Sequence, residues 1–221
     1  MSDNRGIDIC FVYDANKLTA GQWWSHEVQK RSPTRDILQV NFKTKEGQDL
    51  VLLGNHWPSR VGGKAQSEPF RMMAGETLAY FHERIRGYMG DDVPIVAMGD
   101  FNDAPHDRSL IEFALSSNSK ERVLRARIPR LYNLMWPLEA AGRGTYVYGS
   151  DASCLDQVLV SQGVLDDDVP LSLVAGAEIH VPDATATGIY DSPVPFRREA
   201  RAGEGYGQSD HHAVAVRLTT I

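Results

Sequence analysis

A chain of 221 residues, 42% hydrophobic and 24% charged, has the length for one domain with a sizeable core and the composition of an ordinary globular protein, which argues against a disordered or fibrous chain. A net charge of −6 and a pI near 5.6 argue against a general polyanion binder, because affinity for a phosphate backbone rests on clustered Lys and Arg; they leave open a phosphate-ester site at which a cation supplies the positive charge. No stretch approaches transmembrane length and the first six residues lack the apolar core of a signal peptide, so the expected location is the cytoplasm unless a signal segment precedes Met1.

In chain order, residues 7–13 are rich in β-formers and predict a strand, and Trp23 and Trp24 lie in a polar neighbourhood that predicts a partly covered surface turn. Residues 37–42 alternate, residues 43–48 are polar with a glycine, and residues 49–54 are again apolar; together they predict a hairpin. After a breaker-rich loop over residues 55–69, Ala74, Leu78, Phe81 and Ile85 fall on one face of a helix predicted over residues 70–87. A strand over residues 93–97 leads into Asp100, and Ser109 with Glu112 has the form of a capping box that predicts a short helix. Lys120, Arg122, Arg125, Arg127 and Arg130 follow; a solvated helix face is one reading and a substrate-facing basic rim the other. Residues 155–161 predict a strand, residues 181–207 an irregular loop, and residues 213–218, apolar on both faces, a buried strand. Cys10 and Cys154, each flanked by apolar residues, read as two buried free thiols or as one disulfide across a long loop. Interspersed helices and strands, several of them apparently antiparallel neighbours, predict a mixed α/β sandwich in one domain over residues 1–221.

Four of these strands carry polar residues at one end only. Residues 50–53 run into Asn55-His56; residues 93–97 run into Gly99-Asp100-Phe101-Asn102-Asp103; Asp156 stands at the start of one strand and Ser209-Asp210-His211-His212 at the start of another. Each has a plain reading, since Gly-Asp-Phe-Asn-Asp is also a run of good turn formers. If the ends belong to antiparallel neighbours, all four fall on one rim, where carboxylates, imidazoles and amides can hold a metal ion, activate water or bind a phosphate.

The order of Asn55-His56, Gly99-Asp100-Phe101-Asn102-Asp103-Ala104-Pro105, Leu155-Asp156-Gln157-Val158-Leu159-Val160-Ser161 and Ser209-Asp210-His211 resembles that of the endonuclease/exonuclease/phosphatase superfamily. Arg5-Gly6-Ile7-Asp8 and Gly144-Thr145-Tyr146-Val147-Tyr148 further resemble its bacterial nuclease-like members, so the likeness spans nearly the whole chain. It implies a four-layer α/β sandwich, two mixed β-sheets between helical layers, and hydrolysis of a phosphate ester with magnesium or another divalent cation such as manganese. By that resemblance Asp100 orients and deprotonates the attacking water, and Asn102 donates to the water or the phosphate. His211 stabilises charge on phosphorus oxygens, with Asp156 holding its ring, and Asp210 helps hold the metal. His56 contacts the phosphate or assists the leaving group, Asn55 stands with it on the substrate, and His212 is structural. A phosphodiesterase or nuclease is the expected activity, with nucleic acid among the candidate substrates.

Superfamily members also carry a Gln-Glu pair closing an early strand, whose glutamate is the principal metal ligand. No Gln-Glu pair occurs in this chain, and Glu27, Glu46, Glu68 and Glu178 do not close apolar strands. The chain is therefore expected to begin part-way into the domain. An upstream segment supplying the glutamate, a natural truncation with impaired metal binding, and completion of the sheet by a second chain are the three explanations. The last two would make the protein a catalytically impaired phosphate-binding or assembly module.

Overall fold

The computed structural model describes residues 6–165, 169–181, 186–187, 192–193 and 209–220, and a seven-stranded mixed sheet lies at its centre. Strand β1 (Leu18–His26) pairs antiparallel with β2 (Ile37–Thr44), and β2 with β3 (Asp49–His56). The expected hairpin is thus present, turned at Gly47 with φ 87°, a conformation that glycine adopts without steric cost. Helix α1 (Lys64–Met89) then carries the chain to β4 (Ile95–Asp100), which lies parallel to β3; a parallel pair needs such a crossover. Two short strands, β5 (Ser116–Ser117) and β6 (Leu131–Asn133), a small hairpin of β7 (Tyr146–Tyr148) and β8 (Asp151–Ser153), and β9 (Asp156–Val160) follow. The sheet order is β1-β2-β3-β4-β9-β6-β5.

Each face of this sheet buries its own apolar cluster. Leu53, Ile95, Phe101, Leu110 and Leu159 pack with Ala74, Leu78 and Ile85 of α1 on one side. On the other, Phe42, Val96, Met135, Val158 and Val160 pack under Val214, Val216 and Leu218. The second layer is made of two-stranded pairs, Leu171–Leu173 with Leu218–Thr220 and Glu178–His180 with Ala213–Ala215. The result is the mixed α/β sandwich that the sequence predicts, and no helix among the described residues is long and apolar enough to cross a membrane.

Several elements depart from expectation. Residues 7–13 join no strand; Phe11 packs edge-on against Phe42 with ring centroids 6.4 Å apart, and the segment crosses Gly54, where a Cβ would lie 2.7 Å from Ile9 Cγ2. Cys10 in that segment is exposed while Cys154 is buried, and both thiols are free. Trp23 and Trp24 belong to the edge strand β1 rather than to a turn, 66% and 39% exposed. Helix α1 starts at Lys64, six residues before the predicted start, because Gly62 and Gly63, both at positive φ, break the chain ahead of it and the early Pro69 is accommodated. Ser109 caps nothing: residues Ser109–Phe113 form a π-helical turn, and the Ser109 hydroxyl donates to Asp103 Oδ2 at 2.6 Å instead. Residues 213–218 split into two short strands with alternating exposure, so only one of their faces is covered. Most of the loop predicted over residues 181–207 lies outside the described residues.

One glycine decides how closely β3 and β4 approach at the sheet rim. Gly99 pairs with Asn55 at φ 133°, and a Cβ there would lie 2.0 Å from the Asn55 carbonyl oxygen. Gly99→Ala is expected to lower unfolding free energy by roughly 3 kcal/mol, through a disallowed φ and a backbone clash, measured by urea denaturation; an unchanged midpoint would show that the two strands part easily.

Candidate active site

The sheet register brings three of the four polar strand ends to one rim. His56 is opposite Asp100 in the parallel β3–β4 pair, and Asp100 is opposite Asp156 in the antiparallel β4–β9 pair. Chains that leave β3 and β4 and enter β9 therefore all do so at the same edge. His56 Nε2 lies 3.4 Å from Asp100 Oδ2. The fourth end arrives by a single bridge between Tyr146 and His211, reinforced by the His212 amide donating to the Thr145 carbonyl at 2.7 Å. This places His211 Nδ1 2.7 Å from Asp156 Oδ2. Among the described residues, Asp100, Asp156 and His211 are the group whose possible ligand atoms all lie within 4.8 Å of one another.

Behind Asp100 the chain turns sharply through Asn102, at φ 52°. Asparagine tolerates that left-handed conformation better than most residues. The turn aims two donors back at the carboxylate: the Asn102 amide N–H at 2.8 Å from Oδ1 and its side-chain Nδ2 at 3.0 Å from Oδ2, with Nδ2 also donating to the Trp57 carbonyl. Asp100 is thus oriented by Asn102. Asn55 is 3% exposed, and its side chain is spent on the Leu53 carbonyl and on the Trp57 indole N–H. It faces inward and fixes Trp57, so the structure does not bring it to the open rim. Asp210 is exposed and lies outside the three-residue cluster. His212 is buried, 6% exposed.

Burial and the neighbouring Asp156 charge push the Asp100 carboxyl up to about 6, against the opposing pull of His211, the Asn102 N–H and Arg35. Burial alone would lower the His211 imidazole; the hydrogen bond and charge of Asp156, with Asp100 and Asp210 beyond, outweigh it and raise its affinity for a proton. Two carboxylates held this closely fit a divalent cation, which would offset both the burial and the Asp156 repulsion that raise Asp100. Without such an ion the folded state holds the Asp100 proton more tightly than the unfolded state does. Its folded value lies above the unfolded value of 3.8, so stability is lost as pH rises from about 4 through about 6. Asp100→Asn in metal-free buffer is therefore expected to stabilise the protein at pH 7, by on the order of 3 kcal/mol, and to do nothing at pH 4. Thermal melts of both proteins at the two pH values check this; equal shifts at both would remove the charge explanation.

Several residues around the site carry no signal in the sequence. The Thr145 hydroxyl accepts from the amides of Leu155 and Asp156, both at 3.1 Å, and so fixes the start of β9. Gln157 Nε2 donates to the Asp103 carbonyl at 2.9 Å, and Arg60 Nε to the Asn102 carbonyl at 2.7 Å. Arg35 Nε lies 3.3 Å from the His56 carbonyl, at the edge of a cavity of about 740 Å³ that Lys30, His56, Ser59, Gln66 and Phe70 also line. Arg35 and Arg60 sit in irregular stretches where periodicity says nothing; Thr145 and Gln157 fall in stretches that carry the family resemblance, but nothing in the residues shows which groups they bond. The five basic residues of positions 120–130 are not at this rim. β6 begins at Leu131, and Tyr132 pairs with Val160, at the other end of β9 from Asp156.

A family model described as "Endonuclease/Exonuclease/phosphatase family" matches residues 1–220. No curated protein matches the chain. Among solved structures, the human Nocturnin catalytic domain with bound sulfate aligns at TM-score 0.53 and 17% identity, over 94% of this chain and 62% of that one, so the chain spans less than two thirds of that domain. The mannosyl-6-phosphatase Bt3783 of Bacteroides thetaiotaomicron aligns at TM-score 0.55 and 16% identity, over 94% of this chain and 69% of that one. TDP2 of D. rerio, complexed with a single-strand DNA product, aligns at TM-score 0.53 and 12% identity, over 93% and 70%. At these identities the likeness is one of fold.

Proposed function

The chain belongs to the endonuclease/exonuclease/phosphatase family, and from that premise we propose that it is a metal-dependent phosphoric ester hydrolase that cleaves phosphodiesters with an activated water. The observation that carries the proposal is the convergence of Asp100, Asp156 and His211 at one sheet rim, with Asn102 orienting Asp100.

Hydrolysis forms a bond from the water oxygen to phosphorus and breaks the bond from phosphorus to the ester oxygen. One proton must leave the water and one must reach the departing oxygen. Asp100 takes the first; Asn102 holds the carboxylate at both oxygens, so its free lone pairs keep a fixed direction. His211, held through Nδ1 by Asp156, presents Nε2 to the phosphoryl oxygens, and its raised proton affinity keeps it a cationic donor there over more of the neutral range. The Asp156–His211 pair orients the imidazole as the aspartate of a hydrolase triad does. His56, beside both Asp100 and the 740 Å³ cavity, is placed to protonate the leaving oxygen. Asp100 and Asp156 are the carboxylates placed to hold a magnesium or manganese ion, with Asp210 next to His211 as a further candidate. When bound, that ion supplies charge neutralisation and Lewis-acid polarisation at the phosphate. Asn55 acts indirectly, by fixing Trp57, whose carbonyl receives Asn102.

The cavity beside His56 favours a diester over a monoester, because it offers room for an organic group beyond the phosphate, with Lys30, Arg35 and Phe70 among the residues that line it. Nucleic acid is one diester of that kind. The test is turnover of bis(p-nitrophenyl) phosphate and of p-nitrophenyl phosphate with magnesium, manganese or a chelator, by wild type and Asp100→Ala. Metal-dependent cleavage of the diester that Asp100→Ala loses is the expected result. Faster cleavage of the monoester would remove the diester assignment, and no turnover by wild type with either ion would remove the hydrolase reading.

A further inference from the structure

The strongest concentration of positive charge lies away from the rim just described. Five of the chain's 23 Lys and Arg fall between residues 120 and 130, in a protein whose net charge is −6. The helix Lys120–Leu124 and the residues after it bend around a shallow concavity of about 520 Å³, lined by Arg122, Arg125, Arg127 and Arg130 with one carboxylate, Glu121, among them. A solvated helix face would pair such side chains with carboxylates. Here Arg125 meets Glu121 at 2.6 Å, while among the described residues no carboxylate pairs with Arg122, Arg127 or Arg130. Arg130 is half-buried, and burial together with the Arg122 charge holds its guanidinium below the usual arginine range. Arg122, Arg125 and Arg127 are exposed around this hollow, and like charges gathered so closely repel one another unless something anionic lies between them.

We infer that Arg122, Arg127 and Arg130, with Arg125 at the margin, form a second anion site for a compact ligand bearing two or more adjacent phosphate groups. Four guanidiniums, rather than lysine ammoniums, offer paired N–H forks that match phosphate oxygens two at a time. The size of the hollow suits a small oligophosphate, and the acidic chain as a whole disfavours an extended polyanion. The site is separate from the hydrolytic centre and does not depend on it. Asp156 stands at one end of β9; Val160, beside which β6 enters from Arg130, stands at the other, about 13 Å of strand away.

Isothermal titration calorimetry with sodium tripolyphosphate, in low salt and with a chelator present, tests the inference on wild type, Arg122→Gln/Arg130→Gln, Arg127→Gln alone and Asp100→Ala. Wild type is expected to bind one equivalent with an affinity that falls as salt rises. The double variant is expected to lose tenfold or more, Arg127→Gln severalfold, and Asp100→Ala nothing. Absence of binding by wild type, equal affinity in the arginine variants, or loss in Asp100→Ala each overturns the site. A single-stranded oligonucleotide that binds more tightly than tripolyphosphate through the same arginines overturns its assignment to a compact ligand. Matching melting curves of the single variant Arg127→Gln and wild type make sure that a loss of binding is not a loss of fold.

Discussion

His211→Ala is expected to lower kcat for an activated phosphodiester by about 10³-fold while changing KM little, in keeping with the 10² to 10⁴ that a positioned proton-transfer or charge-stabilising group contributes. Under the proposed mechanism the imidazole acts on charge that develops as phosphorus is attacked, so its removal should raise the barrier more than it weakens ground-state binding. Asp156→Asn should cost less, about 10²-fold, because His211 remains but loses the carboxylate that orients it at 2.7 Å and raises its proton affinity. The same substitution removes the second cause of the raised Asp100 carboxyl. Both limbs of the pH–rate profile should then move to lower pH. Initial rates across pH 5 to 9 measure this; an Asp156→Asn enzyme with unshifted limbs would separate Asp156 from both partners.

The second large effect concerns an ion pair that touches no substrate. Arg71 on α1 and Asp103 after the Asp100 turn are both 0% exposed, with Arg71 Nε 2.7 Å from Asp103 Oδ2. Ser109 donates to the same oxygen, and Arg71 also donates to the Ser67 hydroxyl at 2.7 Å and the Lys64 carbonyl at 3.0 Å. Removing Arg71 leaves the buried Asp103 carboxylate to the more distant Arg60 at 3.4 Å, and removing Asp103 strands the Arg71 charge in the core. Arg71→Met is therefore expected to destabilise by about 3–5 kcal/mol, and Arg71→Met/Asp103→Leu to recover much of that loss. Urea denaturation of the two single variants and the double variant closes the cycle; additive losses would mean that the two groups do not share one energetic contact. Since Asp103 follows Asn102, whose carbonyl also accepts from Arg60, the same variants should loosen the turn that aims Asn102 at Asp100.

Much of this was legible in the residues because it obeyed a period or a break. Residues 37–54 alternate and are interrupted by a glycine turn; Ala74, Leu78 and Ile85 fall on one helical face; a buried run stops at Gly99 and exposes Asp100. The convergence of strand ends followed from such breaks plus pairing of β4 with both neighbours, antiparallel to β9 as expected but parallel to β3, whose exit lies beside that of β4. Three kinds of feature escaped. Residues 7–13 have strand composition, yet only packing decides whether a ladder partner is available, and none is taken. Ser109 and Glu112 satisfy a local capping pattern, but buried Asp103 six residues back competes for the hydroxyl and wins it. The apolar run at residues 213–218 gives no sign of which face will be covered, because that depends on short strands at residues 171–173 and 178–180. Asn55 was legible as a strand-end amide but not as one turned inward, since its direction depends on the Trp57 indole.

The way the rim is assembled bears on how the candidate site re-forms after unfolding. Hairpin β2–β3 joins neighbours in the chain and can form early, whereas the Asp156–His211 hydrogen bond joins groups 55 residues apart, and β9 must insert between β4 and β6 before Asp156 reaches Asp100. Contacts of long sequence separation form late, once loop-closure entropy has been offset by the rest of the sheet. Under the proposed function, a collapsed chain that has regained its helix signal is expected to be inert, with turnover returning only in the slowest refolding phase.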